Sequence, residues 1–204
     1  MDERVWARRL LWAGPVGVVA AWIVIGVAWL LNGDWFVFTR DAFSDLGGPG
    51  ACCPRVYNTG LILVGVIVAA FGAGLVLAGR SKLEVVGGAY FALAGVFLAL
   101  IGIYPSGTRP HTFVSTWFFV QADLGLLLAS LGLYRAWGCR LGLWGLVLSA
   151  LAFPVAGLVE AVVGWPSAAV LEAYGILVID AVVLALFTGY RRVLAEGAGP
   201  AEAG

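Results

Sequence analysis

The sequence predicts an all-α, polytopic membrane protein: one bundle of six transmembrane helices with both termini cytoplasmic. Three observations carry this reading. The 204 residues are 62% hydrophobic and only 12% charged, with a mean hydropathy of +0.98. A soluble domain is about half apolar and about a quarter charged, so lipid is the expected solvent. The apolar residues also fall into six runs, each near the roughly 20 residues that a spanning helix requires. Finally, basic residues alternate between loops. Nine lie in the N-terminus, the second and fourth loops and the tail, against three (Arg40, Arg55 and Arg109) in the first, third and fifth loops. The richer side is the cytoplasmic one.

The spans are expected at residues 10–31, 57–78, 84–104, 112–134, 141–163 and 168–187, in a single membrane domain over residues 1–204. The segment MDERVWARR precedes the first run. That run is too long for a signal-peptide core and has no clear A-x-A cleavage site, so it reads as a retained helix. The short links GRSK and RAWGCR make antiparallel neighbours of the helices they join. Small residues such as Gly88, Ala92 and Gly95 suit close helix packing. The tail over residues 194–204 is Gly- and Ala-rich and is expected to fray. Nine Trp suit the two membrane interfaces. The net charge of zero speaks against a nucleic-acid partner. The partners expected are membrane lipids and a lipid-like or small-molecule ligand. The sequence specifies no oligomeric state.

The longest polar interruption lies in the outward loop, residues 32–56, and continues to Asn58. Its centre, Ser44-Asp45-Leu46-Gly47-Gly48, suits a sharp turn with Gly supplying positive φ. Ser before Asp is also ordinary turn and N-cap chemistry. Cys52 and Cys53 are adjacent, without C-x-x-C spacing. They read as a local bridge or two small buried thiols and not as a redox site. The outward acids Asp41, Asp45, Glu160 and Glu172 are expected to pair with Arg40, Arg55 and Arg109.

Charges within the spans are few, and such groups face a bundle interior or a cavity. Asp123 lies near mid-membrane. Thr112, Ser115, Thr116, Phe119 and Asp123 follow steps of three and four, so they share a helix face. A polar stripe therefore descends to a carboxylate. Asp180 lies midway along the sixth span. Each is a functional acid or a packing device bonded to a neighbouring helix. No intramembrane Lys or Arg is available as a mate, so Tyr, Ser, Thr or Trp donors would serve. His111, the one histidine, opens the fourth span. It is either a general acid–base or a helix-start residue bonded to loop backbone. One His does not build a multi-His zinc site, so no metal or other cofactor is expected. Walker, G-x-S-x-G and H-E-x-x-H motifs are absent.

The run Phe43-Ser44-Asp45-Leu46-Gly47, then Pro54 and Asn58-Thr59-Gly60-Leu61, then Gly102-Ile103-Tyr104-Pro105 and His111, resembles the prokaryotic membrane family called domain of unknown function 998. Distantly it is similar to the Frag/DRAM/Sfk group, some of whose members are associated with lipid remodelling or distribution. The resemblance implies six helices and functional weight at Ser44, Asp45, Asn58 and His111; Cys52 and Cys53 are not part of the pattern. The leading expectation is an outward-facing site for a lipid or amphiphile, with Ser44, Asp45, Asn58, Arg109 and His111 as ligand-binding residues. One alternative is a membrane enzyme with Asp45 and His111 as candidate catalytic residues. Another is a proton-coupled carrier using Asp123 and Asp180. The last is a structural subunit of a membrane complex. The cell membrane is the expected location.

Overall fold

The computed structural model describes residues 3–196. Among these there is no strand, and six helical segments are long and apolar enough to cross a membrane. The first is divided into α1 (Glu3–Leu10) and α2 (Ala13–Leu31). The others are α3 (Pro54–Ala78), α4 (Lys82–Ile103), α5 (His111–Trp137), α6 (Arg140–Val162) and α7 (Ala168–Glu196). Apolar side chains such as Val19, Leu30, Val66, Leu158 and Val163 point outward, as expected of a surface solvated by lipid.

Two departures from the predicted spans have local causes. The first span breaks at Leu11 and Trp12 because Pro15 cannot donate to the Leu11 carbonyl; the Gly14 N–H takes that bond instead. The last helix passes the predicted end at Phe187 and runs to Glu196, so the tail expected to fray from residue 194 begins as helix. Its remainder, residues 197–204, lies outside the described residues. Hydropathy ends where the polar surface begins, but the helix continues because Tyr190 and Val193 are buried against the bundle. Arg8 donates to the Leu194 carbonyl at 2.7 Å, so both ends of the described chain lie on one side of the bundle. We call this the terminal face, and the side bearing residues 32–53 the loop face.

Helices α2, α3, α4, α5 and α7 form a ring. Neighbours in sequence pack from α2 to α5, and α7 closes the circle against both α5 and α2. The α3–α4 seam is the tightest. A Cβ on Gly95 would lie 2.5 Å from both the Gly65 carbonyl oxygen and the Ala69 nitrogen, so any larger residue would force the helices apart. Helix α6 stands outside the ring against α5 and α7. It buries Gly142, Gly145 and Ser149, all near the terminal face, and no residue beyond Ser149. Pro154 interrupts its backbone ladder within the unburied half.

On the terminal face the ring is tied by Glu84, which is fully buried. One carboxylate oxygen accepts from Trp137 Nε1 and the Tyr190 hydroxyl, each at 2.9 Å. The other accepts from the Arg80 and Ser81 N–H groups at 3.0 and 2.8 Å. Arg80 in turn lies over the Trp137 ring at 3.7 Å. One side chain thus joins α4, α5, α7 and the α3–α4 link, with each donor matched to a lone pair. Glu84→Ala leaves all four donors without this acceptor and should cost about 2–4 kcal/mol, read as a fall in unfolding temperature of the detergent-solubilised protein. Ser130→Ala is the control. It removes a buried hydroxyl that has no partner among the described residues and should leave that temperature nearly unchanged.

Candidate functional site

The loop face is closed by residues 32–53, folded onto the ends of α2, α3 and α7. Buried Asn32 donates to the Ala28 carbonyl and accepts from Trp35 Nε1 and the Cys52 N–H. Ser167, which caps α7, donates to the Phe38 carbonyl at 2.6 Å. The Ala169 N–H donates to the Asp41 carbonyl. Glu172 accepts from the Phe43 N–H at 2.7 Å.

At the centre of this loop, residues Phe43–Gly47 form a short 3-10 turn. Asp45 accepts from the Ala42 N–H at 3.0 Å and from the Ser106 hydroxyl at 3.0 Å. Asn58 donates to the Gly47 carbonyl at 2.9 Å. Positive φ is found at Gly107, Gly138 and Gly164 and not at Gly47 or Gly48, which corrects the expected turn chemistry. Gly47 is required for a different reason: a Cβ there would overlap the Asn58 side chain. His111 donates from Nδ1 to the Tyr104 carbonyl at 2.8 Å.

The expected network of outward ion pairs is not formed. Arg40 and Asp41 pair at 2.8 Å, whereas Asp45, Glu160 and Glu172 each accept a backbone N–H. Tight turns present their own N–H groups at short range, without the entropy cost of fixing a long Arg side chain. Arg55 and Arg109 have no ion-pair partner among the described residues. Cys52 and Cys53 are free thiols, with Cys52 exposed and Cys53 half-buried. Contact with Cys53 pushes the Cys52 thiol up, away from the thiolate form.

Two cavities adjoin this closure. The smaller, about 100 Å³, is the chamber inside the ring, lined from α2, α3, α4, α5 and α7. Ser44 and His111 reach it, as do Glu172 and Asp180. Asp180 accepts from Trp22 Nε1 at 2.7 Å. The larger, about 730 Å³, lies outside the ring between α5, α6 and α7. Its volume is in the range of small-molecule sites. It forms beside the loop-face half of α6, which has no fully buried residue beyond Ser149. Ser115, Phe119, Glu172 and Ile179 line both cavities. The Phe119 ring packs over Gly175, at 2.8 Å from where a Cβ would stand. This contact forms part of the wall between them.

The stripe Thr112, Ser115, Thr116, Phe119 and Asp123 lines the larger cavity. Asp123 makes no hydrogen bond or ion pair with a described residue. From α6 come Phe153 and Glu160, from the link to α7 Trp165, and from α7 Tyr174. Trp165 Nε1 donates to the Ala156 carbonyl at 3.1 Å and the Tyr174 hydroxyl to the Ala152 carbonyl at 2.9 Å. The two rings lie 5.4 Å apart. These aromatics were not singled out in the sequence; an indole or phenol within an apolar run was the available signal. The five expected ligand-binding residues do not converge. Ser44 and His111 line the chamber, and Asp45, Asn58 and Arg109 line neither cavity. Asp123 and Asp180 line different cavities.

The profile of a protein family described as "Protein of unknown function (DUF998)" matches residues 15–189. The chain belongs to the DUF998 family. No curated protein and no solved structure matches it. The residues that carried the DUF998 resemblance meet in the loop-face closure. Asn58 holds Gly47, Asp45 holds the link bearing Ser106, and a Cβ on Gly102 would overlap the Asn58 backbone. In this DUF998 protein much of the motif is engaged in holding the loop onto α3 and α4.

Asn58→Ala removes the Gly47 bond and should cost about 1–2 kcal/mol, with faster proteolytic cleavage within residues 48–53. The loop also has an acid limit. The hydrogen bond from Arg40, then that from the Val37 N–H, holds the Asp41 carboxyl below its ordinary range. Its contribution is complete above about pH 4–5, where an unfolded Asp is ionised, and is lost as pH falls through the lowered value. Protease protection of the loop should therefore fall on acidification, and Asp41→Asn should remove that component of the pH dependence.

Proposed function

We propose that this protein sits in the cell membrane with its loop face outward and binds an amphiphile in the cavity between α5, α6 and α7. The observation that carries the reading is the contrast between Asp123 and the other acids. Glu84, Asp180 and Glu172 are each held by donors from the chain. Asp123 ends a polar stripe in a cavity of about 730 Å³ and has no such donor. An unpaired acid at membrane depth is costly, and a polar ligand group supplies what the fold does not. The apolar lining from Phe153, Ala156, Leu171 and Val178 suits a hydrocarbon tail.

Other readings draw less support. A carrier using Asp123 and Asp180 requires one path past both, whereas they line different cavities. An enzyme using Asp45 and His111 requires both at one cavity, and Asp45 lines neither.

The test is native mass spectrometry of protein purified in a neutral detergent, comparing wild type with Gly157→Phe. Gly157 lines the cavity and a Cβ there meets nothing within 4 Å, so Phe adds bulk at the cavity wall without displacing backbone. The variant should change stability by less than about 0.5 kcal/mol while losing the co-purifying amphiphile. Ligand retained by Gly157→Phe, or absent from wild type, would count against this site.

A further inference from the structure

The larger cavity has a sign as well as a shape. Asp123, Glu160 and Glu172 lie on its wall, and no Arg, Lys or His does. Glu160 and Glu172 each have one bond to a backbone N–H, from Trp165 and Phe43 respectively. Asp123 has none. A phosphate or carboxylate head would meet Glu160 and Glu172 near the loop face and Asp123 at depth, without a cation to neutralise it, and at Asp123 dielectric screening is weak. A cationic head meets the opposite field. Trp165 and Tyr174 add to this. Their polar tips are bound to α6 carbonyls, so what they present to the cavity is ring surface, which attracts cations. The hydroxyls of Thr112 and Thr116, also without a partner among the described residues, can accept from an N–H donor.

Resting on the amphiphile reading above, we propose that the ligand is a cationic amphiphile. Its ammonium head is held by Asp123, with Tyr174 on the wall formed by α7; Trp165 lines the path from the loop face, and the tail lies along Phe153, Ala156 and Val178. Asp123 is twelve residues beyond His111, the first residue of α5, so the head descends roughly 18 Å from the loop face at 1.5 Å per residue. An alkyl chain of matching length offsets the loss of water along that path.

The experiment uses purified protein in dodecyl maltoside, a neutral detergent, and radiolabelled decylammonium as probe. Competitors are decyl phosphate, decyl glucoside and methylammonium. In wild type the ammonium amphiphile should bind at least about tenfold more tightly than the glucoside, as expected for one charge-assisted contact. Asp123→Glu should keep that preference, and Asp123→Asn should reduce it to within about threefold while the tail still binds. Gly157→Phe should abolish binding of all three amphiphiles. Equal affinity for the three heads in wild type overturns the ammonium inference and leaves the amphiphile reading standing. Binding of none of them overturns both. Methylammonium competing as well as the probe overturns the tail and assigns the site to a free cation.

Discussion

In hydrocarbon a polar side chain must find its partner within the protein, and this constraint organises the bundle. Glu84 satisfies it fully. Its carboxylate gathers two backbone N–H groups, an indole and a phenol from separate elements. Removing water strengthens each bond, and none is left unmatched. Asn32 plays a similar part at the other end, binding its own helix, Trp35 and the Cys52 backbone. Between these anchors the α3–α4 seam admits only small residues at its closest approach. Gln121, Ser130 and Ser149 leave neutral polar atoms unpartnered, but Asp123 stands out against that background because its group is a carboxylate, the costliest kind to leave so.

The loop closure shows why a motif of polar residues is not by itself a ligand site. Ser44, Asp45, Asn58 and the His111 ring look like chemistry when read along the chain. In space, Asp45 and Asn58 satisfy backbone donors and acceptors that the turn at Phe43–Gly47 would otherwise leave open. His111 uses one ring nitrogen on the Tyr104 carbonyl. It and Ser44 nevertheless border the ring chamber with Glu172 and Asp180. The closure thus both seals the bundle and forms one wall of its interior.

Helix α6 has a different role from the ring helices. Close packing of Gly142 and Gly145 near the terminal face holds it to α5. Beyond Ser149 it buries nothing, and Pro154 weakens its ladder there. In that half α6 is tied to α7 by the Tyr174 hydroxyl on the Ala152 carbonyl, and the cleft lies beside this contact. Phe119 over Gly175 keeps that cleft apart from the chamber along the α5–α7 seam.

The sequence by itself determined the six spans, because length and hydropathy are local quantities that lipid selects directly. It also placed Thr112, Thr116 and Asp123 on one face, because helical spacing is local too. It could not distinguish Asp123 from Asp180, two acids at similar depth in similar apolar runs. Nor could it show that Glu84 would be the best-satisfied carboxylate in the bundle. Those differences depend on which side chains other helices bring near: Trp22 for Asp180, Trp137 and Tyr190 for Glu84. Such partners lie tens of residues away or more and follow no periodicity. The tertiary structure decided them because helix packing, and not the chain's own repeat, sets which donors reach which acceptors.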